Sequence, residues 1–203
     1  MGYVISFGLN MQINKTLILT LAGAALLAAV AVAQQPAGRG GPPRPSLLLS
    51  TAAFTDGGEL PKKFSCAAGA ESVSPAFTWA NPPTGTASFA LLLHDPEPHI
   101  RKSRYDITHW MIWNIPADAK GLPEGVALGA ELPDGSRQGK PYTQKAGYAG
   151  PCAPPGNPHH YTWLLFALDA KLDLSPDATR DDFEKALDGH VLQASEVVSL
   201  FHQ

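Results

Sequence analysis

Two runs of this chain, ITHWMIWNI at 107–115 and YTWLLFAL at 161–168, limit its fold more than anything else in it. Both have the length of strands, are rich in aromatic and β-branched residues, and are bounded by Pro, Gly or Asp. Neither alternates cleanly between polar and apolar, so both faces of these strands are expected to be covered. Further strands are expected at 46–49, at 87–93 (ASFALLL, closed by HDPEP) and at 196–201. The strand–helix alternation of a parallel sheet is absent. The pattern predicts a mainly β, two-layered domain.

One helix is well signed. Thr179 followed by Asp182 forms a relaxed capping box, Phe183, Ala186 and Leu187 share a face, and Gly189 fits the stop position. Either this helix alone or this helix with a second short one over 190–194 is expected. Residues 116–147 read as mostly loop, with turn chemistry in LPEG and LPDG.

The N-terminus is expected to lie outside the fold. LILTLAGAALLAAVAV at 17–32, with Lys15 ahead and Ala31 and Ala33 forming an A-x-A cleavage pattern, reads as a secretory signal peptide over 1–33. The start is Met1 or Met11. QQPAGRGGPPRP at 34–45 has no side chain suited to a core and reads as a flexible tether. The folded domain is then 46–203, periplasmic or secreted. Membrane contact is expected only if the apolar segment stays uncleaved. The formal net charge is −3, and Lys15 is the one charge that cleavage removes, so nucleic acid is not an expected partner. The sole basic cluster, Arg101, Lys102 and Arg104, reads as solvated surface.

Chemistry is suggested by GPCAPPGNPHHY at 150–161, which holds two histidines at the mouth of a strand. Adjacent residues in extended chain point opposite ways, so His159 and Tyr161 share a side and His160 takes the other. Asp95 sits where a strand run stops and suits a rigid turn that its own carboxylate caps. His109 shares parity with Met111 and Trp113. His94, Asp95, His99, His109, His159 and His160 show no tight metal-ligand spacing, and no metal or other cofactor is expected. The nucleophile elbow, the phosphate loop and the dinucleotide fingerprint are all missing.

SPAFTW at 74–79, SFALLLHDPEP at 88–98, THWMIWNIP at 108–116 and GYAGPCAPPGNPHHYTWLLFALD at 147–169 together resemble the phosphatidylethanolamine-binding protein family, in its bacterial Raf-kinase-inhibitor-like branch. The likeness spans about 47–201. It implies a two-sheet antiparallel Greek-key β-sandwich and a small pocket accepting phosphorylated or similar anionic head groups. The matching pocket residues are Asp95, His109, Gly150, Pro151, His159 and Tyr161. His160 stands where the family has arginine. The loop after DPEP and the stretch RQGKPYTQKAGY also depart from the family, so Lys140, Tyr142 or Lys145 can reshape the mouth. No activated nucleophile is marked, so a binding module is preferred to an enzyme. A regulator of an unidentified protein partner, or a weak hydrolase using the same pocket, is the alternative reading. Kinase regulation is not carried over.

Cys66 and Cys152 are the only cysteines. An oxidising compartment permits a bond between them. The family resemblance implies cysteines at both places in members without export signals, and two free, partly buried thiols are the favoured expectation.

Overall fold

The computed structural model describes residues 45–97 and 106–203. The signal-peptide reading of 1–33, nearly all of the tether, the Arg101–Lys102–Arg104 cluster and His99 lie outside the described residues. No helix among the described residues is long and apolar enough to cross a membrane.

In chain order the elements are β1 (Leu48–Ser50), β2 (Gly58–Glu59), two 3₁₀ turns (Lys62–Phe64 and Cys66–Glu71), β3 (Phe77–Ala80), β4 (Ser88–Asp95), β5 (Ile107–Pro116), β6 (Gly121–Leu122), β7 (Arg137–Gln138), β8 (His159–Leu168), α1 (Arg180–Leu187) and β9 (Val191–Phe201). They form a three-stranded sheet, β1-β3-β6, and a six-stranded sheet, β2-β9-β8-β4-β5-β7. All pairings are antiparallel except β2 with β9. Within the large sheet β8 returns by a long connection to lie beside β4, so the order β8-β4-β5-β7 is a Greek key.

The covered faces expected of the long strands are both present. One face of the large sheet meets the small sheet through Leu91, Leu93, Trp110, Ile112, Trp163 and Leu165, packed against Leu49, Phe77, Trp79 and Leu122. The opposite face carries Leu92, Met111 and Trp113, roofed by Leu172, Leu174, Phe183 and Leu187. The last two come from α1, which begins as expected. The Thr179 hydroxyl accepts from Asp182 N–H, and the Asp182 carboxylate accepts from Thr179 N–H at 2.9 Å.

The second helix allowed for over 190–194 is not formed. Val191 opens β9, which pairs with β8 from Leu168↔Val191 to His159↔Phe201. A ladder along a ten-residue neighbour, broken only by a shift at Leu192, outweighs the weak local preference of that segment. The strand expected at 196–201 is the second half of β9.

One irregularity in the β4–β5 pairing matters for function. Leu93 faces Trp110, but the next residue, His94, faces Thr108, so His109 is the extra residue of a β-bulge. A bulge re-aims the side chains on one side of it. Trp110 and Ile112 then enter the core between the sheets, and Met111 and Trp113 the core under α1.

Candidate functional site

The core between the sheets does not stop at its last apolar row. Along β4 the inward positions run Leu91, Leu93, Asp95, and along β8 they run Leu165, Trp163, Tyr161, His159. Leu93 pairs with Trp163 and His94 with Thr162, so continuing that register brings Asp95 opposite Tyr161. The candidate site is the polar end of an apolar stripe.

Asp95 is only 2% exposed, and both of its carboxylate oxygens are engaged. Oδ2 accepts from His159 Nδ1 at 2.8 Å, and Oδ1 accepts from the Glu97 N–H at 3.0 Å. The second contact caps the Asp-Pro-Glu turn, as the sequence suggested, and the first orients a histidine. Donation from Nδ1 leaves Nε2 as the His159 ring nitrogen that a ligand can use.

His109 lies at the bulge, and its surroundings differ from those expected by parity. Instead of joining Met111 and Trp113, its ring packs against Tyr161 (5.2 Å between centroids, edge-on) and Tyr142 (4.9 Å). The ring is 2% exposed. Nδ1 donates to the carbonyl oxygens of Ala149 (3.0 Å) and Gly150 (3.2 Å), while Nε2 is enclosed without a partner. Burial lowers the pKa to about 4, against the upward pull of the two carbonyls and Asp95.

Tyr161 is fully buried below the site. Its hydroxyl accepts from Cys152 N–H at 3.0 Å and lies near the Asp95 carboxylate. Burial, followed by the nearby carboxylate, holds the phenol well above its ordinary pKa. His160 points away, as alternation requires: its N–H and its Nδ1 bind the two Glu97 carboxylate oxygens at 2.5 and 2.6 Å on the surface.

Gly150 and Pro151 support the wall rather than line the cavity. A Cβ on Gly150 would stand 2.8 Å from the Ser65 carbonyl carbon and 2.7 Å from Ser72 Oγ, so glycine here permits close packing of two backbones. The Pro151 carbonyl accepts from Cys66 N–H at 3.0 Å. Cys66 and Cys152 are joined by a disulfide, with Cα atoms 5.3 Å apart. The favoured expectation of two free thiols is thereby corrected. The Cys66 turn is pinned to the Pro151 backbone, which brings the Cα atoms within bridging range. Sequence alone does not reveal that pinning.

These groups enclose a cavity of about 270 Å³ lined by Asp95, Ile107, His109, Tyr142, Cys152, Pro154 and His159. Ile107, Tyr142 and Pro154 were absent from the residues matched by resemblance. Of the three positions flagged at the mouth, Tyr142 lines this cavity. Lys140 belongs to a neighbouring cleft, where it pairs with Asp177, and Lys145 to another. Asp95, Glu97 and His159 offer ligand atoms within 4.8 Å of one another, the spacing of a metal site. The carboxylate oxygens already accept from the Glu97 N–H, His159 and His160, and His159 Nε2 is the ring nitrogen of the cluster that faces outward to a ligand.

Comparison with known proteins adds three findings. A family model described as phosphatidylethanolamine-binding protein matches residues 50–202. A UPF0098 protein of Methanothermobacter thermautotrophicus is 40% identical over 155 residues, covering 76% of this chain and 98% of that protein. Two crystal structures share the fold. Escherichia coli YbcL, described as a new member of the mammalian PEBP family, has a TM-score of 0.69 at 26% identity, covering 78% of this chain and 99% of that one. A phosphatidylethanolamine-binding protein homologue from Chlamydia trachomatis has a TM-score of 0.67 at 27% identity, covering 78% and 98%.

Proposed function

The chain belongs to the phosphatidylethanolamine-binding protein family, and from that premise we propose that its cavity receives a small anionic head group, such as a phosphorylated one, in an exported protein. Members of the family are generally non-catalytic binding proteins. The observation that carries the proposal is the His159–Asp95 pair. A buried carboxylate holds Nδ1 and leaves Nε2 to a ligand, so a charged imidazole can donate to a phosphate oxygen without exposing the carboxylate to it. The binding reading is also favoured because the one thiol at the cavity, Cys152, is bonded and cannot act as a nucleophile.

Calorimetric titration with phosphate and phosphoethanolamine tests this. Saturable binding of both is expected at millimolar concentration, through donation from the His159 ring to a phosphate oxygen. No saturable binding of either at millimolar ligand would overturn it.

Export rests on the apolar segment with its Ala31 and Ala33 cleavage pattern and agrees with the disulfide, which persists in oxidising compartments. Intact mass of the exported protein is expected to fit a chain starting at Gln34. A retained apolar segment would make the protein membrane-anchored instead.

A further inference from the structure

Most polar atoms around the cavity already have partners. Both Asp95 oxygens are engaged, and the Tyr161 hydroxyl lies between Cys152 N–H and Asp95. His159 Nδ1 is held by Asp95. Among the described lining residues, Ile107, Tyr142, Pro154 and the bonded Cys152 carry no positive charge. One buried polar atom is left over, His109 Nε2.

The chemical character of that atom follows from the other side of the ring. Nδ1 faces two carbonyl oxygens, which only accept, so Nδ1 carries the hydrogen. In a neutral imidazole the second nitrogen is then a bare lone pair. Protonating it would place a cation in a site where the ring is 2% exposed, and burial disfavours that form. Buried polar atoms without partners are rare in folded proteins and usually await one. This atom therefore calls for a ligand that brings a hydrogen.

We propose that His109 is the specificity-determining acceptor of the cavity, admitting tetrahedral oxyanions that carry a hydroxyl hydrogen, namely protonated phosphates and phosphonates, and rejecting those that carry none. The inference rests on the reading that the cavity takes a small anion, and it names which anions. A phosphate monoanion can accept at one oxygen from His159 and donate a P–OH to His109 Nε2. Sulfate has no hydrogen to donate, so an oxygen lone pair would face the nitrogen lone pair in an enclosed space. A buried acceptor left unpaired is the strongest form of discrimination available to a small pocket.

The experiment is calorimetric titration of the disulfide-intact protein at about pH 5.5, where phosphate is a monoanion bearing hydroxyls. The ligands are inorganic phosphate, methylphosphonate, dimethyl phosphate and sulfate. Dimethyl phosphate has the same charge as the first two and no hydroxyl, so it separates hydrogen donation from charge. Phosphate and methylphosphonate are expected to bind at least about tenfold more tightly than the other two. His109→Phe is expected to bring that ratio toward one. Nitrogen NMR of the wild-type protein supplies a reading independent of whether the variant folds. The His109 Nε2 resonance is expected to shift as a hydrogen-bond acceptor on adding phosphate and to stay in place on adding sulfate. Equal affinities for all four ions, or an unmoved resonance with phosphate bound, would overturn this inference and leave the anion reading standing. Ethanolamine binding in the absence of any anion binding would overturn both.

Discussion

The six-stranded sheet ends, at the same edge of the fold, in two histidine–carboxylate pairs of nearly identical chemistry. His159 and Asp95 face inward, with side chains 20% and 3% exposed, while His160 and Glu97 face outward at 57% and 37%. The pairs are one residue apart on β8 and two apart after β4. Strand alternation separates the two histidines, and the Asp-Pro-Glu turn beyond β4 carries Glu97 to the outer side. The same contrast holds for the sheet as a whole. The core under α1 is built from aliphatic and aromatic residues throughout, whereas the core between the sheets runs on into Asp95, Tyr161, His109 and His159. Residue type therefore does not make a site here. A charged pair becomes one when it continues an apolar row and inherits its burial.

The sharpest way to break this contrast is to damage one face and read the other. Phe183→Ala empties the core beneath α1 and is expected to cost about 3–5 kcal/mol in urea unfolding. Phosphate affinity of the folded variant is expected to stay within about twofold of wild type. A large loss of affinity would mean that the two faces are coupled.

Removing the disulfide strikes the other face. Cys66→Ser with Cys152→Ser opens a loop of 86 residues and is expected to cost about 2–4 kcal/mol. Here affinity is expected to fall as well, because Cys152 N–H holds the Tyr161 hydroxyl. Thiol titration of unfolded, unreduced wild-type protein is expected to read zero.

Acid separates the faces next. The folded pKa of His109 is about 4 against an ordinary 6.5, a lowering caused first by burial. The unfolded chain therefore binds this proton before the folded one does. Ligand-free stability from this residue is complete above about pH 6.5 and declines toward about pH 4, by roughly 2–3 kcal/mol. Urea midpoints compared with those of His109→Phe isolate the effect, and parallel pH curves for the two proteins would contradict it.

The smallest effects compare the two pairs directly. Asp95→Asn is expected to weaken phosphate about tenfold, or about 1.4 kcal/mol. Glu97→Gln is expected to change affinity by less than about twofold and stability by under about 0.5 kcal/mol, as suits a solvated pair. Similar effects from both substitutions would remove the distinction between inner and outer positions.

Strands β4, β5 and β8 were legible because each is a long apolar run with a breaker at its end. The capping box of α1 was legible because its two residues act locally. Strands β2, β6 and β7 have two residues each and exist only through their neighbours, so no window of sequence signals them. The N-terminal half of β9 was lost for the same reason, since its ladder with β8 overrides local preference. At the site, Asp95 and His159 line the cavity, as alternation along β4 and β8 allows, whereas Tyr161 lies buried behind it. His109 was matched to the pocket by resemblance while its parity pointed elsewhere. The reconciling feature, a one-residue bulge, leaves no mark on composition. Tyr142 reaches the ring of His109 from a loop whose path depends on tertiary packing. The disulfide needed a through-space distance that residues 86 apart do not announce.

The short strands have a further consequence. The large sheet ends on β2 and β7, two residues each, and the small sheet on β1 and β6, three and two. Open sheet edges are templates onto which a strand from another molecule can add, and very short edges present few unpaired backbone groups to start such growth. Among the described residues, the long apolar strands that make this fold, β4, β5 and β8, all lie at interior positions of their sheet. Strands β4 and β8, paired along their length on both sides, are thus withheld from other chains for as long as the molecule stays folded.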